Sequence, residues 1–509
     1  MGLARVDTFT LDGVQARRVW VEADVRGSGL PSFTVVGLAD KGVREARERV
    51  RAAITNSGFV FPDGRITVNL APAYLRKIGP AFDLPLAIAL LAASSQLATE
   101  PLAGCAIAGE LSLTGDVRAI RGALAMAEGA RRHGLSCLLV PRSRAREAAL
   151  VGGLQVTGVG HLQETVEVLR GDREPAPLPE HVPEPDAEPQ PEQPDLSDVR
   201  GHNGLIPALE IAAAGGHNLF LHGPPGTGKT MLARRLPGLL PPLTGPEAIE
   251  VTRLHSIAGL HDGGGLVEQR PFRSPHHTIS ASGLVGGGSL PSPGEATLAH
   301  HGVLFLDELS EFARPAIEAL RQPLEDGNVT IVRAQRVLVF PTRVTLVAAS
   351  NPCPCGMGEP RCRCSGADLV RHRRRLSGPL LDRIDVSVSV ARPSAEALRT
   401  QAAPPSAVVR ERILGARERQ GARLTGTGLT CNAQLTPRLL RQTGAATSAA
   451  QRLLYELHDR NRLSARGHGR IMRVARTIAD LDGDDAVGPD HILRAASLRI
   501  DDPAHTLAA

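Results

Sequence analysis

The sequence predicts an α/β protein of several domains: a mixed α+β domain first, then a parallel-sheet domain built around a phosphate-binding loop, then a small helical lid. Three observations carry that expectation. The string GPPGTGKT at 223–230 lies between a short apolar run and a helix-like run. A second apolar run, Val303-Leu304-Phe305-Leu306, ends in Asp307 and Glu308. The stretch 171–198 is so rich in Pro, Glu and Asp that it cannot bury enough surface to fold, and it divides the chain.

Size agrees with this division. A chain of 509 residues is too long for one core. Its 42% hydrophobic and 22% charged content is ordinary for a globular protein. No apolar run reaches the roughly 20 residues that cross a bilayer, so no membrane role is expected. The amino-terminal MGLARVDTFTLDG has no hydrophobic signal core, and a cytoplasmic location is expected.

Residues 1–170 alternate strand-like and helix-like segments. Val19-Trp20-Val21, 33–36 and 66–70 read as strands, and 41–56 and 83–96 as helices. Asp83 is expected to cap the second helix, with Pro85 in its first turn. A strand at 105–109, a helix at 120–133 and a strand at 137–140 follow. The linker at 171–198 reads as an extended tether. Residues 199–392 read as the nucleotide-binding domain. Residues 393–509 turn helical, with helices at 407–423 and 448–461 and an Arg-rich one at 468–482.

The chemistry is concentrated in the second domain. Its loop, Gly223, Pro224, Pro225, Gly226, Thr227, Gly228, Lys229 and Thr230, has the P-loop pattern in its proper strand–loop–helix setting. Backbone N–H groups and a helix start would cradle the phosphates of ATP. Lys229 would reach the β- and γ-phosphates, and the Thr230 hydroxyl would ligate Mg²⁺. Asp307 suits the same Mg²⁺, and Glu308 suits the base that polarises the attacking water. A third strand, 344–350, ends in Asn351, whose amide can orient that water. Arg383 follows a short helical turn, and Ser464-Ala465-Arg466-Gly467 opens the last basic helix.

The seven cysteines fall into two sets. Cys105, Cys137 and Cys431 stand alone and read as inert core residues. Cys353, Cys355, Cys362 and Cys364 form C-x-C-x6-C-x-C, which reads as a closed, structural Zn²⁺ site. The pairs are tighter than usual for zinc, which leaves free or redox-active thiols as alternatives.

Three basic features lie in the same domain. A turn at Asp326-Gly327-Asn328 and the run 329–336 read as a β-hairpin carrying Arg333 and Arg336. Arg273, His276 and His277, with the Gly283-to-Gly288 region, read as an inward-facing insert. Residues 371–375, RHRRR, form a charge run whose plain reading is a solvated face. A net charge of +5 does not by itself specify nucleic acid, but the acidic linker leaves the folded parts more basic than the average. With only 3% aromatic residues, any DNA would be held by its phosphates rather than by stacking.

The chain resembles the AAA+ ATPases of the magnesium-chelatase and MCM subgroup, and most closely the YifB/ComM family. The matching strings are DVRG at 198–201, ALEIAAAGGHNLFLHGPPGTGKTMLARRL at 208–236, PFRSPHHT at 271–278 and HGVLFLDEL at 301–309. SNPCPCG at 350–356, SGPLLDRID at 377–385 and ARTIADL at 475–481 complete them. The resemblance implies that Arg383 is the arginine finger inserted into a neighbouring subunit's ATP. It implies that Arg466 is the lid arginine reaching γ-phosphate in its own or an adjacent subunit. It further implies a homo-oligomeric, hexameric ring whose pore is lined by the 329–336 hairpin. Residues 1–170 resemble the domain shared by Lon proteases and RadA, through GELSLTGDVRAIRGALAMAEGARRHGLSCLLVP at 109–141. Ala81 stands where the Lon serine is expected and Leu124 where its lysine is, so peptidase activity is not expected.

The function so implied is an ATP-driven DNA motor, a branch-migration helicase that helps integrate DNA during natural transformation. The alternative is a magnesium-chelatase-type ATPase that remodels a protein partner for metal insertion.

Overall fold

A computed structural model describes residues 2–27, 30–178, 194–288, 292–333, 336–358, 360–376, 380–400, 402–460 and 464–499. The middle of the acidic linker and the SGP of SGPLLDRID lie outside the described residues. Two compact units divide the chain: 1–189 with 245–267 and 332–339, and 190–244 with 268–331 and 340–509. The segments 245–267 and 332–339, which fall inside the span read as the ATPase domain, thus cluster with the amino-terminal unit. Among the described residues no helix is long and apolar enough to cross a membrane.

The amino-terminal unit is built on a seven-stranded mixed sheet. In spatial order its strands are Ser32–Val36, Arg65–Ala71, Gln15–Arg26, Leu3–Asp12, Cys105–Ile107, Cys137–Pro141 and Gln155–Val159. The long hairpin of Leu3–Asp12 and Gln15–Arg26 is antiparallel, and the last three strands add in parallel. In Gln15–Arg26 the positions 19, 21, 23 and 25 are buried and their neighbours are not, the period-2 signature of a strand with one face on a core. The helix Asp83–Ala93 is buried along its whole length, which explains why its sequence is apolar on every face.

Two sequence expectations fail in this unit. Asp83 does not cap its helix; it is the first helical residue, and its buried carboxylate takes two hydrogen bonds from Arg49, at 2.8 and 3.0 Å. Burial pushes the Asp83 carboxyl up, against the pull of Arg49. Cys105 and Cys137 are not isolated. Register pairs them directly across two parallel strands, where they form a disulfide.

The segment 245–267 is held in this unit by buried polar contacts. Glu147, fully buried, accepts from the Leu124 N–H at 2.8 Å, from the Ser256 hydroxyl, and sits 3.4 Å from the His261 ring. Arg253 reaches Glu128 at 3.0 Å, and Arg144 donates to the His261 carbonyl. The contacts of Glu147, Glu128 and Arg144 are long-range in sequence, and no local pattern announces them.

The second unit carries a five-stranded parallel sheet in the order Phe272–Arg273, Val303–Leu306, Thr345–Ser350, Leu219–His222 and Val386–Ser389. Its three central strands are nearly free of polar side chains because helices cover both faces of such a sheet. The helical part contains Ser406–Leu424, Ser448–Arg460 and Ala465–Asp482, as expected, but the last is followed by one more helix, Pro489–Ser497. A buried polar cluster pins these helices to the sheet. His217 bridges Asp385 at 3.2 Å and Thr477 at 2.8 Å, and Asn432 bonds both Thr477 and Asp480.

Candidate nucleotide site and its surroundings

The loop 223–230 leaves the strand Leu219–His222 and enters the helix Lys229–Leu239. Gly226 and Gly228 adopt left-handed backbone angles (φ 72° and 90°), which turn the chain tightly at no steric cost. Gly223 is required for a different reason: a Cβ there would lie 2.2 Å from the carbonyl oxygen of Val390. The first-turn N–H groups of the following helix have no intrahelical acceptors, as at any helix start, and could cradle an anion.

Lys229 is buried, and its ammonium donates to the carbonyls of Gly223 (2.7 Å) and Pro224 (2.8 Å) and to Asn351 Oδ1 (3.1 Å). Burial pushes its pKa down, against the charges of Asp307 and Glu308. A buried cation at a helix start is the donor set that a polyphosphate fits. Thr230 Oγ1 donates to Asp307 Oδ2 at 2.7 Å, so the hydroxyl and carboxylate that would hold Mg²⁺ already converge.

Glu308 follows Asp307 in a left-handed conformation (φ 53°), a strained state for a non-glycine residue that functional sites tend to retain. Its carboxylate lies 3.5 Å from His277 Nδ1. The His277 ring faces His276 with centroids 4.1 Å apart and meets the edge of Phe312. The two adjacent histidine rings thus lie against one another, and His277 sits beside Glu308. Arg273, from the same insert, is engaged by Glu295 in a two-pronged ion pair at 2.6 and 2.8 Å. Asn351 is fixed from behind by His372, whose Nε2 bonds its carbonyl at 3.0 Å. His372 is buried, so the charge run 371–375 is not uniformly solvated.

Arg383 lies at the other end of the strand that leads to the loop. The Arg383 carbonyl accepts from Asn218, just before the strand that leads to the loop. That four-residue strand puts about 13 Å between the Arg383 backbone and the loop. The Arg383 guanidinium is ion-paired with Glu325. Arg466 is exposed, near the start of its helix, about 6 Å of rise before Arg470. Arg470 donates to the Ile384 carbonyl at 3.2 Å, and Arg473 reaches Asp385 at 3.4 Å. Arg470 and Arg473 thus tie this helix to the turn that carries Arg383.

Sequence models of three families match in tandem: "Subunit ChlI of Mg-chelatase" over residues 21–144, "Magnesium chelatase, subunit ChlI" over 195–398 and "Magnesium chelatase, subunit ChlI C-terminal" over 403–499. YifB of Escherichia coli (strain K12) is 43% identical over 98% of this chain and 97% of its own length. The competence protein ComM of Haemophilus influenzae (strain ATCC 51907) is 42% identical over 98% of both chains. The chain belongs to the YifB/ComM family of magnesium-chelatase-like proteins. A shorter match, 30% identical over 26% of each chain, relates it to Lon protease 2 of Bacillus subtilis (strain 168).

Membership in the YifB/ComM family brings the AAA+ fold, and with it the use of ATP and Mg²⁺. The parallel sheet, the partial Lon likeness and the helical carboxyl-terminal part agree with the fold class expected from sequence. In the Lon-like part Ala81 packs against the core cluster that contains the fully buried Leu124. Neither side chain can carry out acyl transfer. Lys77, four residues before Ala81, is fully buried and donates to the Pro72 carbonyl.

The hairpin differs from its sequence reading in its limits. Gly327 (φ 67°) ends the helix Arg321–Asp326 rather than turning a hairpin, and the paired strands are Asn328–Arg333 and Arg336–Pro341. Arg333 and Arg336 flank its tip; their side chains and residues 334–335 lie outside the described residues. The four clustered cysteines converge, with Sγ atoms all within 4.8 Å of one another. Backbone N–H groups of Arg363 and then Met357 pull the Cys355 thiol down to about 6.

His202, His277 and His372 escaped the sequence reading as parts of the nucleotide site. His202 is buried against Gly228 of the loop, and a Cβ on Gly228 would lie 3.3 Å from its ring. The signal was present but weak: His202 follows DVRG directly, and the other two sit inside strings already singled out.

Proposed function

We propose that this chain is an ATP-hydrolysing AAA+ motor that assembles into a hexameric ring and moves branched DNA, a branch-migration helicase of the ComM type. The observation that carries the reading is the 42% identity to a competence protein across 98% of both chains, so that the Lon-like part, the ATPase core and the lid match together. The complete nucleotide site supports ATP hydrolysis: Lys229 and the loop bind phosphates, Thr230 and Asp307 hold Mg²⁺, and Glu308 takes the proton of a water aligned by Asn351. Arg383, whose backbone lies one strand length from its own loop, and the exposed Arg466 are assigned to a neighbour's ATP, which makes turnover depend on assembly. The hairpin with Arg333 and Arg336 is the proposed DNA contact, joined by Arg273, His276 and His277, and binding through phosphates makes affinity fall steeply with salt. The working location is the cytoplasm.

A three-stranded junction assay with ATP tests this reading. Wild type should resolve the junction, and Glu308→Gln should bind ATP without doing so. If ATP moves no junction and DNA does not stimulate turnover, the motor reading fails. The chelatase-type reading, favoured by the names of the matching family models, then takes its place.

A further inference from the structure

We propose that Cys353, Cys355, Cys362 and Cys364 hold one structural zinc ion, and that the knuckle so formed braces the phosphate loop through Gly356 against Pro225. Four thiolates about 2.3 Å from a zinc ion stand about 3.8 Å from one another. Here Cys353 Sγ lies 3.3 Å from Cys355 Sγ, and Cys355 Sγ lies 4.0 Å from Cys362 Sγ. All four fall within 4.8 Å, close to that tetrahedron. Every ligand position is filled by protein sulfur, the mark of a closed site without catalytic chemistry.

The surrounding backbone is arranged for negative sulfur. The Gly358 N–H donates to Cys353 Sγ at 3.4 Å, and the Cys355 N–H donates to Cys364 Sγ at 3.3 Å. Such outer hydrogen bonds orient thiolate ligands and spread their charge. Gly356 and Gly358, at φ 77° and 65°, let the chain wrap closely around the sulfurs. Little else holds the segment. Among the described residues from 352 to 365 only Cys353 and Gly356 are buried, so apolar packing cannot define its shape. A bound metal supplies the missing cross-link.

The site sits where such a cross-link reaches the nucleotide. The segment starts directly after Asn351, and His372 on the helix that follows it returns to the Asn351 carbonyl. A Cβ on Gly356 would approach Pro225 Cδ to 2.9 Å, so knuckle and loop are in contact with no room between them. The bracing part rests on the ATP reading above; the metal part does not.

Metal analysis of the full chain, purified without chelator, should find about one zinc per chain, released when the thiols are titrated with an organomercurial. Less than about a tenth of an equivalent, or iron with visible charge-transfer absorption, would overturn the metal site. Cys355→Ser with Cys364→Ser should lose the zinc, and retention by this double variant would equally exclude the four-thiolate site. Gly356→Ala should keep its zinc, which reports a folded knuckle, yet bind a fluorescent ATP analogue about tenfold more weakly. Unchanged affinity there would remove the brace. A wild-type chain that holds zinc but binds no nucleotide would leave the metal site standing and overturn both the ATP reading and the brace.

Discussion

The ammonium of Lys229 lies 3.1 Å from Oδ1 of Asn351, so the glycine-rich loop and the end of a strand three steps further along the chain in the same sheet share one hydrogen bond. The adjacency arises because Thr345–Ser350 pairs in parallel with Leu219–His222, placing both carboxyl ends side by side. Asn351→Ala is expected to lower ATP turnover about 100-fold, because a donor aimed at the reacting water is lost. Affinity for a fluorescent ATP analogue should stay within about threefold, since the loop carbonyls still hold Lys229. A comparable loss of binding and turnover would show that Asn351 shapes the loop rather than the chemistry.

His277 touches Glu308 and is itself packed between His276 and Phe312. Holding a general base within an ångström of its productive place is worth an order of magnitude or more. His277→Ala should therefore cut turnover about tenfold with nucleotide affinity unchanged, and His277→Asn should recover part of it. Steady-state kinetics with and without DNA would separate this from the DNA-contact role. If only the DNA-stimulated rate falls, His277 acts on DNA and not on Glu308.

The Arg383 backbone stands one strand length, about 13 Å, from its own loop, and a mixing experiment tests whether its side chain serves a neighbour. Arg383→Ala alone should lose about 1,000-fold in turnover. Mixed with Lys229→Ala subunits, which lack a working loop but keep the arginine, it should regain a measurable fraction. No recovery across mixing ratios, with rings confirmed by light scattering, would place the role of Arg383 within its own subunit.

His261 makes the attachment of the 245–267 segment sensitive to pH. Burial works against its proton, but Glu147 at 3.4 Å, the Gly265 carbonyl and Asp262 outweigh burial and raise its pKa above the ordinary value. Arg144, 3.9 Å from the same Glu147 carboxylate, bonds the His261 carbonyl. A histidine raised on folding contributes stability that is complete below its unfolded pKa of about 6.5 and is lost as pH climbs through the folded value. Amide exchange in 245–267, corrected for intrinsic rates, should therefore be faster at alkaline pH than at pH 6. In His261→Ala the difference should vanish, and a wild-type segment equally protected at both pH values would contradict the coupling.

The nucleotide loop, the two acids after Leu306, the Asn351 strand end and the four-cysteine spacing could all be read from the chain directly. Each is a local pattern, and a strand–loop–helix is written within twenty residues. Family membership was legible for the same reason, through short strings such as PFRSPHHT and SNPCPCG. Partnerships across the fold were not. Asp83 looked like a helix cap because its neighbours fit that role, but Arg49, 34 residues earlier, claimed the carboxylate. Cys105 and Cys137 looked solitary because only strand register brings them together. Gly327 looked like a hairpin turn because a helix C-cap uses the same residue for the same backbone angle.

By itself, the order of residues determined the strand–loop–helix around 223–230 and which side chains are available for the chemistry, because backbone geometry and functional groups within a few residues suffice for that. Tertiary structure alone decided which groups meet: His277 with Glu308, His372 with Asn351, Gly356 with Pro225, and Arg383 with Asn218, at the end of the strand remote from the loop. Those distances depend on strand order and on helices packing over the sheet, so they are set by the whole core rather than by any segment.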